Sequence, residues 1–267
     1  MKRQHVRKGI LIASFALFPV SIFYFSPYLI VWGAFSGVVA GSAVAFALQL
    51  VSAVFLRRAF CGWLCPAGAL QELEAAAVGK PSRLGKRLLV KWVIWLPWIA
   101  SIVVGFIVAG GVSAVDPLFH IDYGVSVTSL GALVIYLIIV ALFFIPNLFL
   151  GRRAMCHCIC WMAPFMIIGE KIGAVLHVPQ LHIEADAGKC VSCGACGKAC
   201  PMSLPVPELL ESGAIVHSEC IQCGACCDTC RKGALALRFG PLPKSGRVDV
   251  EGQPYVKRLD PGKSQDA

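Results

Sequence analysis

Fourteen of the 267 residues are cysteine, and their spacing sorts them by chemistry. Eight fall into two runs of one pattern, Cys190-x2-Cys193-x2-Cys196-x3-Cys200 and Cys220-x2-Cys223-x2-Cys226-x3-Cys230. Three closely spaced thiolates wrap one face of a [4Fe–4S] cube, while the fourth cysteine of each run reaches across to the other cluster. The spacing therefore assigns Cys190, Cys193, Cys196 and Cys230 to one cluster, and Cys220, Cys223, Cys226 and Cys200 to a second. Gly194 and Gly224 each follow the second cysteine of a run, where a tight backbone turn is needed. Zinc favours separated ligand pairs, and disulfides require an oxidising compartment, so neither fits this register as well. Two positions depart from the repeat. Arg231 stands where the first run has Pro201, and Cys227 is an extra thiol that reads as a buried free cysteine.

Five cysteines remain. Residues 57–65 read RRAFCGWLC, followed by Pro66, and residues 152–160 read RRAMCHCIC. An offset of 95 superimposes Arg57 on Arg152, Arg58 on Arg153, Cys61 on Cys156 and Cys65 on Cys160. On a helix, i and i+4 share a face, so each segment presents two thiols together. A parallel repeat about an axis along the membrane normal would join them as one four-thiol site. Cys61, Cys65, Cys156 and Cys160 are thus a candidate third redox-metal site. An iron–sulfur cluster, Cu(I) and a redox-active dithiol are all compatible with soft sulfur ligands. The flanking arginines are expected to lower the thiol pKa values. Cys158 aligns with Trp63 and reads as a bystander.

The elements that position these cysteines are apolar. Of the residues, 57% are hydrophobic and 15% charged, with a mean hydropathy of +0.74. This excludes a disordered chain, a coiled coil and an ordinary soluble enzyme. Gly9 to Leu56 carries no charge over 48 residues, about 72 Å as one helix against a ~30 Å hydrocarbon core, so it must fold back. Spans are expected near 9–29, 35–56, 88–111 and 129–151, the third with Pro97 inside it and Lys91 snorkelling at its end. The 24 Lys and Arg exceed the 15 Asp and Glu by 9, and they cluster before the first span, between the second and third, and after the fourth. The positive-inside rule then places both termini in the cytoplasm.

The fold class expected is membrane α-helical, with four transmembrane helices as a two-fold parallel repeat and a C-terminal α+β two-cluster ferredoxin-like domain. The boundaries read 1–160 for the membrane domain, 161–182 for an interfacial connecting helix, 183–240 for the cluster domain and 241–267 for a flexible tail. The loop 112–128 on the far face holds Asp116, His120 and Asp122, which are candidate proton acceptors and read more simply as ordinary loop residues. No phosphate loop, dinucleotide fingerprint or haem C-x-x-C-H motif is present.

The combination of CGWLCP, a second C-x3-C exit and two ferredoxin runs resembles the NapH/NosR/FixG group of membrane ferredoxin-type proteins, nearest in layout to NapH-type quinol dehydrogenase components. The second exit departs from the group's CxxxCP, since Cys160 is followed by Trp161-Met162-Ala163-Pro164. The resemblance implies a protein of the inner, cytoplasmic membrane that links the quinone/quinol pool to a redox partner protein. Membrane lipid is then a partner and nucleic acid is not. Two alternatives stay open. One is a copper reductase or metalloenzyme assembly factor using the exit cysteines; the other is an iron–sulfur sensor or anchor subunit.

Overall fold

The computed structural model describes residues 2–75, 79–82, 85–121 and 123–242. Asp122 and the tail beyond residue 242 lie outside the described residues. The chain opens with helix α1 (Lys2–Ala16), the short α2 (Phe18–Ser21), a 3-10 turn and α3 (Pro27–Phe35). Strand β1 (Val38–Ala40) leads into α4 (Gly41–Leu56), then α5 (Ala59–Trp63) and α6 (Pro66–Ala75). The long α7 (Val90–Val108), strand β2 (Ala114–Asp116) and the long α8 (Leu130–Leu150) follow. Then come α9 (Ala154–Cys158) and α10 (Ala163–Val175). The C-terminal domain contains β3 (Gln180–Ala185), α11 (Ala195–Ala199), α12 (Val206–Leu209), β4 (Ala214–Ile215), α13 (Ala225–Thr229) and β5 (Leu235–Gly240).

Among the described residues, two helices are long and apolar enough to cross a membrane, Arg87–Val108 with 22 residues and Leu130–Leu150 with 21, each about 30 Å long. The first apolar run is not one straight span. Lys2–Ala16 and Phe18–Phe25 meet at 57° and together make a third candidate. Prolines explain the breaks. Pro19 and Pro27 each occupy the first turn of a new helix, and the Ser26 hydroxyl accepts from the Leu29 N–H at 3.3 Å to cap α3. Helix α4 has 16 residues, about 24 Å, shorter than the hydrocarbon core. The loop after β2 reaches back into the first break. There Ser126 accepts from the Phe23 N–H and donates to the Val20 carbonyl. Strands β1 and β2 pair in parallel, Val38 opposite Ala114.

The exit segments repeat in detail. Helices α5 and α9 begin and end 95 residues apart. In each, two successive N–H groups close on one carbonyl: Leu64 and Cys65 on Phe60, Ile159 and Cys160 on Met155. The packing is reciprocal as well. Helix α4 lies on α10 while α8 lies on α6, and α1 contacts α6 while α7 contacts α10.

Helix α10 occupies the segment expected to lie at the membrane surface, but it is packed into the protein. A Cβ on Gly169 or Gly173 would come within 2.5 Å of the Leu50 carbonyl or 2.2 Å of the Val54 carbonyl, so the two glycines let the α10 and α4 backbones touch. Glu170 is buried there and pairs with Arg57 at 3.3 Å, while Lys171 faces outward.

The C-terminal domain is a three-stranded antiparallel sheet, order β4-β3-β5, with α11 packed on α13. These two helices begin and end 30 residues apart, the same offset that relates the cysteine runs. Their common cause is backbone geometry. Ser192 and Gln222, and Gly194 and Gly224, adopt left-handed φ at matching positions.

Candidate functional site

The two cysteine runs form interlocked halves. Helix α11 carries Cys196 and ends at Cys200; α13 carries Cys226 and ends at Cys230. Because the helices pack together, Cys200 at the end of α11 is delivered toward the second run. The Cys200 and Cys220 thiols lie within electrostatic reach of Cys223 and of each other, and Cys226 is within reach of Cys220 and Cys223. On the other side Cys196 is within reach of Cys190 and Cys193. The two groups differ in exposure. Cys200, Cys220, Cys223 and Cys226 are buried, whereas Cys193 faces solvent. The Ser192 N–H, freed by its left-handed φ, points at the Cys190 sulfur from 3.4 Å. Cys227 is only half-buried and sits against Cys226 and Arg3.

The four exit cysteines also converge. Cys65 lies within electrostatic reach of Cys61, Cys156 and Cys160, and Cys160 within reach of Cys156 and Cys61. Two donors point at sulfur: the Gly68 N–H at Cys65 from 3.4 Å and the Gln71 amide at Cys156 from 3.2 Å. Cys158 is buried close by but turns toward Arg87 and Lys91. The expectation that the arginines hold the thiols ionised is corrected here. Burial outweighs Arg58 at Cys61, raises Cys65 well above the usual thiol value, and pushes Cys160 up to about 12. Bare thiolates are therefore disfavoured, and a cationic iron core would supply the compensation that buried anions need. Among the described residues, no three His, Cys, Asp or Glu side chains are arranged to hold a metal ion. A [4Fe–4S] cube asks for something different, because it spreads its four thiolates over separate corners. The surroundings suit an anionic cluster. Arg58 Nε and Arg153 Nε are buried without a hydrogen-bond partner beside Cys61, Cys160 and Cys156.

Buried ion pairs fix the exit segments against the cluster domain. Glu219, one residue before Cys220, receives Arg58 at 3.0 Å, His157 at 3.1 Å and Lys91. Burial works against its charge, but Arg58, Lys91 and His157 together hold the carboxyl well below the usual range. Lys91 thus does not snorkel; it is buried by this pairing. Its counterpart is Glu72, which bridges Arg7 and Arg153, the latter at 2.7 Å. Arg153 also donates to the Cys61 carbonyl at 3.1 Å, and Arg58 to the Ser218 carbonyl at 2.8 Å. Sequence reading missed Glu72, Glu219 and His157 and misplaced Lys91, because nothing local marks a lone Glu as the partner of an arginine far away along the chain.

The exit loop and the second cysteine run touch directly. A Cβ on Gly62 would come within 2.3 Å of the Ile221 carbonyl and 3.5 Å of the Cys223 Cβ. The Trp63 indole donates to the Gln222 carbonyl at 3.1 Å. From the amino terminus, Arg3 and Gln4 bond to Asp228, and Gln4 also to the Cys223 carbonyl.

Of the far-face candidates, Asp116 is exposed and caps its own turn through the Leu118 N–H, an ordinary loop role. His120 stacks on Trp32, ring centroids 3.9 Å apart.

Comparison with known proteins bears on this geometry. The family described as "4Fe-4S binding domain" matches residues 38–84, the stretch containing the first exit, and the "4Fe-4S dicluster domain" matches residues 189–235. The chain thus carries two regions of 4Fe-4S ferredoxin type. Escherichia coli K12 has a relative called "Putative electron transport protein YccM", 26% identical over 69% of this chain and 52% of its own length. The chain thus spans about half of that relative. "Methylamine utilization ferredoxin-type protein MauN" of Methylobacillus flagellatus is 26% identical over 87% of this chain and 79% of its own. An uncharacterized protein of Methanocaldococcus jannaschii is 25% identical, covering 71% and 68%. No solved structure matches.

Proposed function

We propose that this protein carries electrons between the membrane quinone pool and a redox partner through a line of three iron–sulfur sites. Cys61, Cys65, Cys156 and Cys160 hold the membrane-edge cluster. Cys220, Cys223, Cys226 and Cys200 hold the middle one, and Cys190, Cys193, Cys196 and Cys230 the outer one. The single observation carrying this reading is the contact between Gly62, inside the first exit, and the Ile221–Cys223 backbone of the buried run. Electron transfer needs short gaps, and that contact leaves no room for intervening side chains. The outer group, with Cys193 exposed, suits exchange with a partner protein. The protein's contribution is to position the clusters and set their potentials through buried charge, while the iron carries the chemistry.

The reading includes four membrane crossings, with the bent α1–α2 path and α4 completing the set, related by a pseudo-two-fold axis. The reciprocal packing of α4 on α10 and α8 on α6 supports it. It places the cluster domain on the cytoplasmic face of the inner membrane, where the basic exits lie. The quinone link and the likeness to NapH-type components rest on the motif resemblance, and the names of YccM and MauN are compatible with a redox role.

The test is anaerobic iron analysis with low-temperature EPR on the wild type and the Cys61→Ser/Cys156→Ser double variant. About twelve irons, falling to about eight in the variant, are expected at four per cube. About eight in both would remove the membrane-edge cluster. Reduction of the clusters by a soluble quinol, followed by absorbance, tests the donor.

A further inference from the structure

A cavity of about 550 Å³ lies between the broken first helix and α8, within the range of small-molecule sites. Its two ends differ. At the inner end are Cys65 of the four-thiol group and Trp161, whose indole is tied to the Phe25 carbonyl at 3.2 Å. At the outer end are Tyr28, Trp32 and the His120 imidazole stacked on it. The wall between is hydrocarbon, with Ile139 of α8 facing the break. The cavity lies beside the break in the first helix, where Pro19 and Pro27 each start a new helix, and the loop bonded to that break through Ser126 also carries His120, which lines it.

We propose that this cavity is the quinol site, holding the ring and first prenyl units of a membrane benzoquinone or naphthoquinone. The proposal rests on the electron-transfer reading above and gives it a location. Three features select this occupant. A hydrated or charged carrier would lose its water in a hydrocarbon-lined space and gain nothing in exchange. The cavity runs on to Cys65, so a ring held at its other end is separated from the membrane-edge redox group by no more than the length of the cavity. The outer end supplies an imidazole and a phenol, which can hydrogen-bond a quinol hydroxyl or quinone carbonyl, beside an indole face for the ring. His120 is a positioning residue that would orient one oxygen of the ring. An acyl chain would use the walls but not this polar end.

The test uses the full-length protein, reconstituted anaerobically in phospholipid nanodiscs. The probe is a photoreactive azido-benzoquinone with a short prenyl tail, and labelled peptides are mapped by mass spectrometry. Labels are expected within 25–32, 65–67, 135–143 or at Trp161, reduced at least fivefold by excess decylbenzoquinone. Ile139→Trp, which fills the cavity, should cut labelling about tenfold with iron content unchanged. His120→Ala should raise the competitor concentration needed several-fold, with His120→Asn restoring part of it. Labelling that phospholipid displaces but decylbenzoquinone does not would overturn the proposal, as would labelling unaltered by Ile139→Trp. Cluster reduction by decylbenzoquinol is followed separately. Reduction with labels mapping elsewhere overturns the cavity and leaves the electron-transfer reading intact. Competed labels in the cavity without reduction support the site and count against quinol as donor.

Discussion

At the scale of single residues, the protein's main problem is keeping charge inside apolar surroundings. Arg58 and Arg153 are almost fully buried, and each is answered by one carboxylate supplied by a distant segment. Glu219 answers two cations, Arg58 and Lys91, and bonds the His157 imidazole, so Glu219→Gln should leave Arg58 and Lys91 buried without a full counter-charge. A loss of about 3–5 kcal/mol is expected for breaking such a pair, read as a lowered denaturation midpoint in detergent. A loss below about 1 kcal/mol would show that the hub is solvated like a surface pair. Glu72 gives a pH test. Burial opposes its charge, yet Arg7 and Arg153 hold its carboxyl below the usual range. Its stabilising contribution is therefore complete above the unfolded value of about 4.3 and is lost as pH falls through the lower folded value. Glu72→Gln should flatten that part of the acid unfolding curve. An unchanged acid limb would contradict the bridging role.

At the scale of elements, the exits and the α4–α10 contact set the geometry. Gly173 permits the closest approach of the two helices, and a methyl group there meets the Val54 carbonyl and the Gln180 amide, each at 2.2 Å. Gly173→Ala should force the helices apart and lower thermal stability by an amount typical of overpacking, about 1–3 kcal/mol. Gly62 occupies the other close approach. Gly62→Ala should keep all the iron but push the exit loop off the Cys220–Cys226 run, slowing the step between membrane-edge and middle clusters in freeze-quench EPR. Iron lost along with the rate would mean that Gly62 serves folding rather than spacing. The segment 161–182 was expected to be an interfacial helix, and α10 within it is packed for the same reason: Gly169 and Gly173 sit on its inner face, and the buried Arg57 pairs with Glu170.

At the scale of the whole molecule, both ends of the described chain meet at one place. Arg3 and Gln4 bond to Asp228 in the cluster domain, so the amino terminus and that domain share one side of the membrane. Reporter fusions should agree. Alkaline phosphatase fused after Gly111 is expected to be active outside, and a fusion after Val178 inactive, while fluorescent reporters show the reverse. Activity on the same side at both points would remove the α8 crossing between them. Exposure rises from the buried Cys220 to the exposed Cys193, which is the direction that the proposed reading assigns to electron flow between membrane and water.

The sequence by itself determined the chemistry. The cysteine spacing specifies cluster-binding loops because short-range turn geometry, Gly194 and Gly224 included, places three thiols of each run. The 95-residue repeat was also legible, since RR and C-x3-C recur in register, and so were helices long and apolar enough to cross a membrane, which depend only on composition and length. Tertiary structure decided the rest. Which Glu meets which Arg, and why Lys91 is buried, depend on contacts between residues far apart in the chain, which carry no local pattern. The first span was expected to be continuous over 9–29, but Pro19 and Pro27 bend it, and helix pattern alone does not say where a bent segment leaves space. The cavity beside Cys65 is that space. It is made by the break, a loop from the opposite face and α8 together, and only their packing brings it into being.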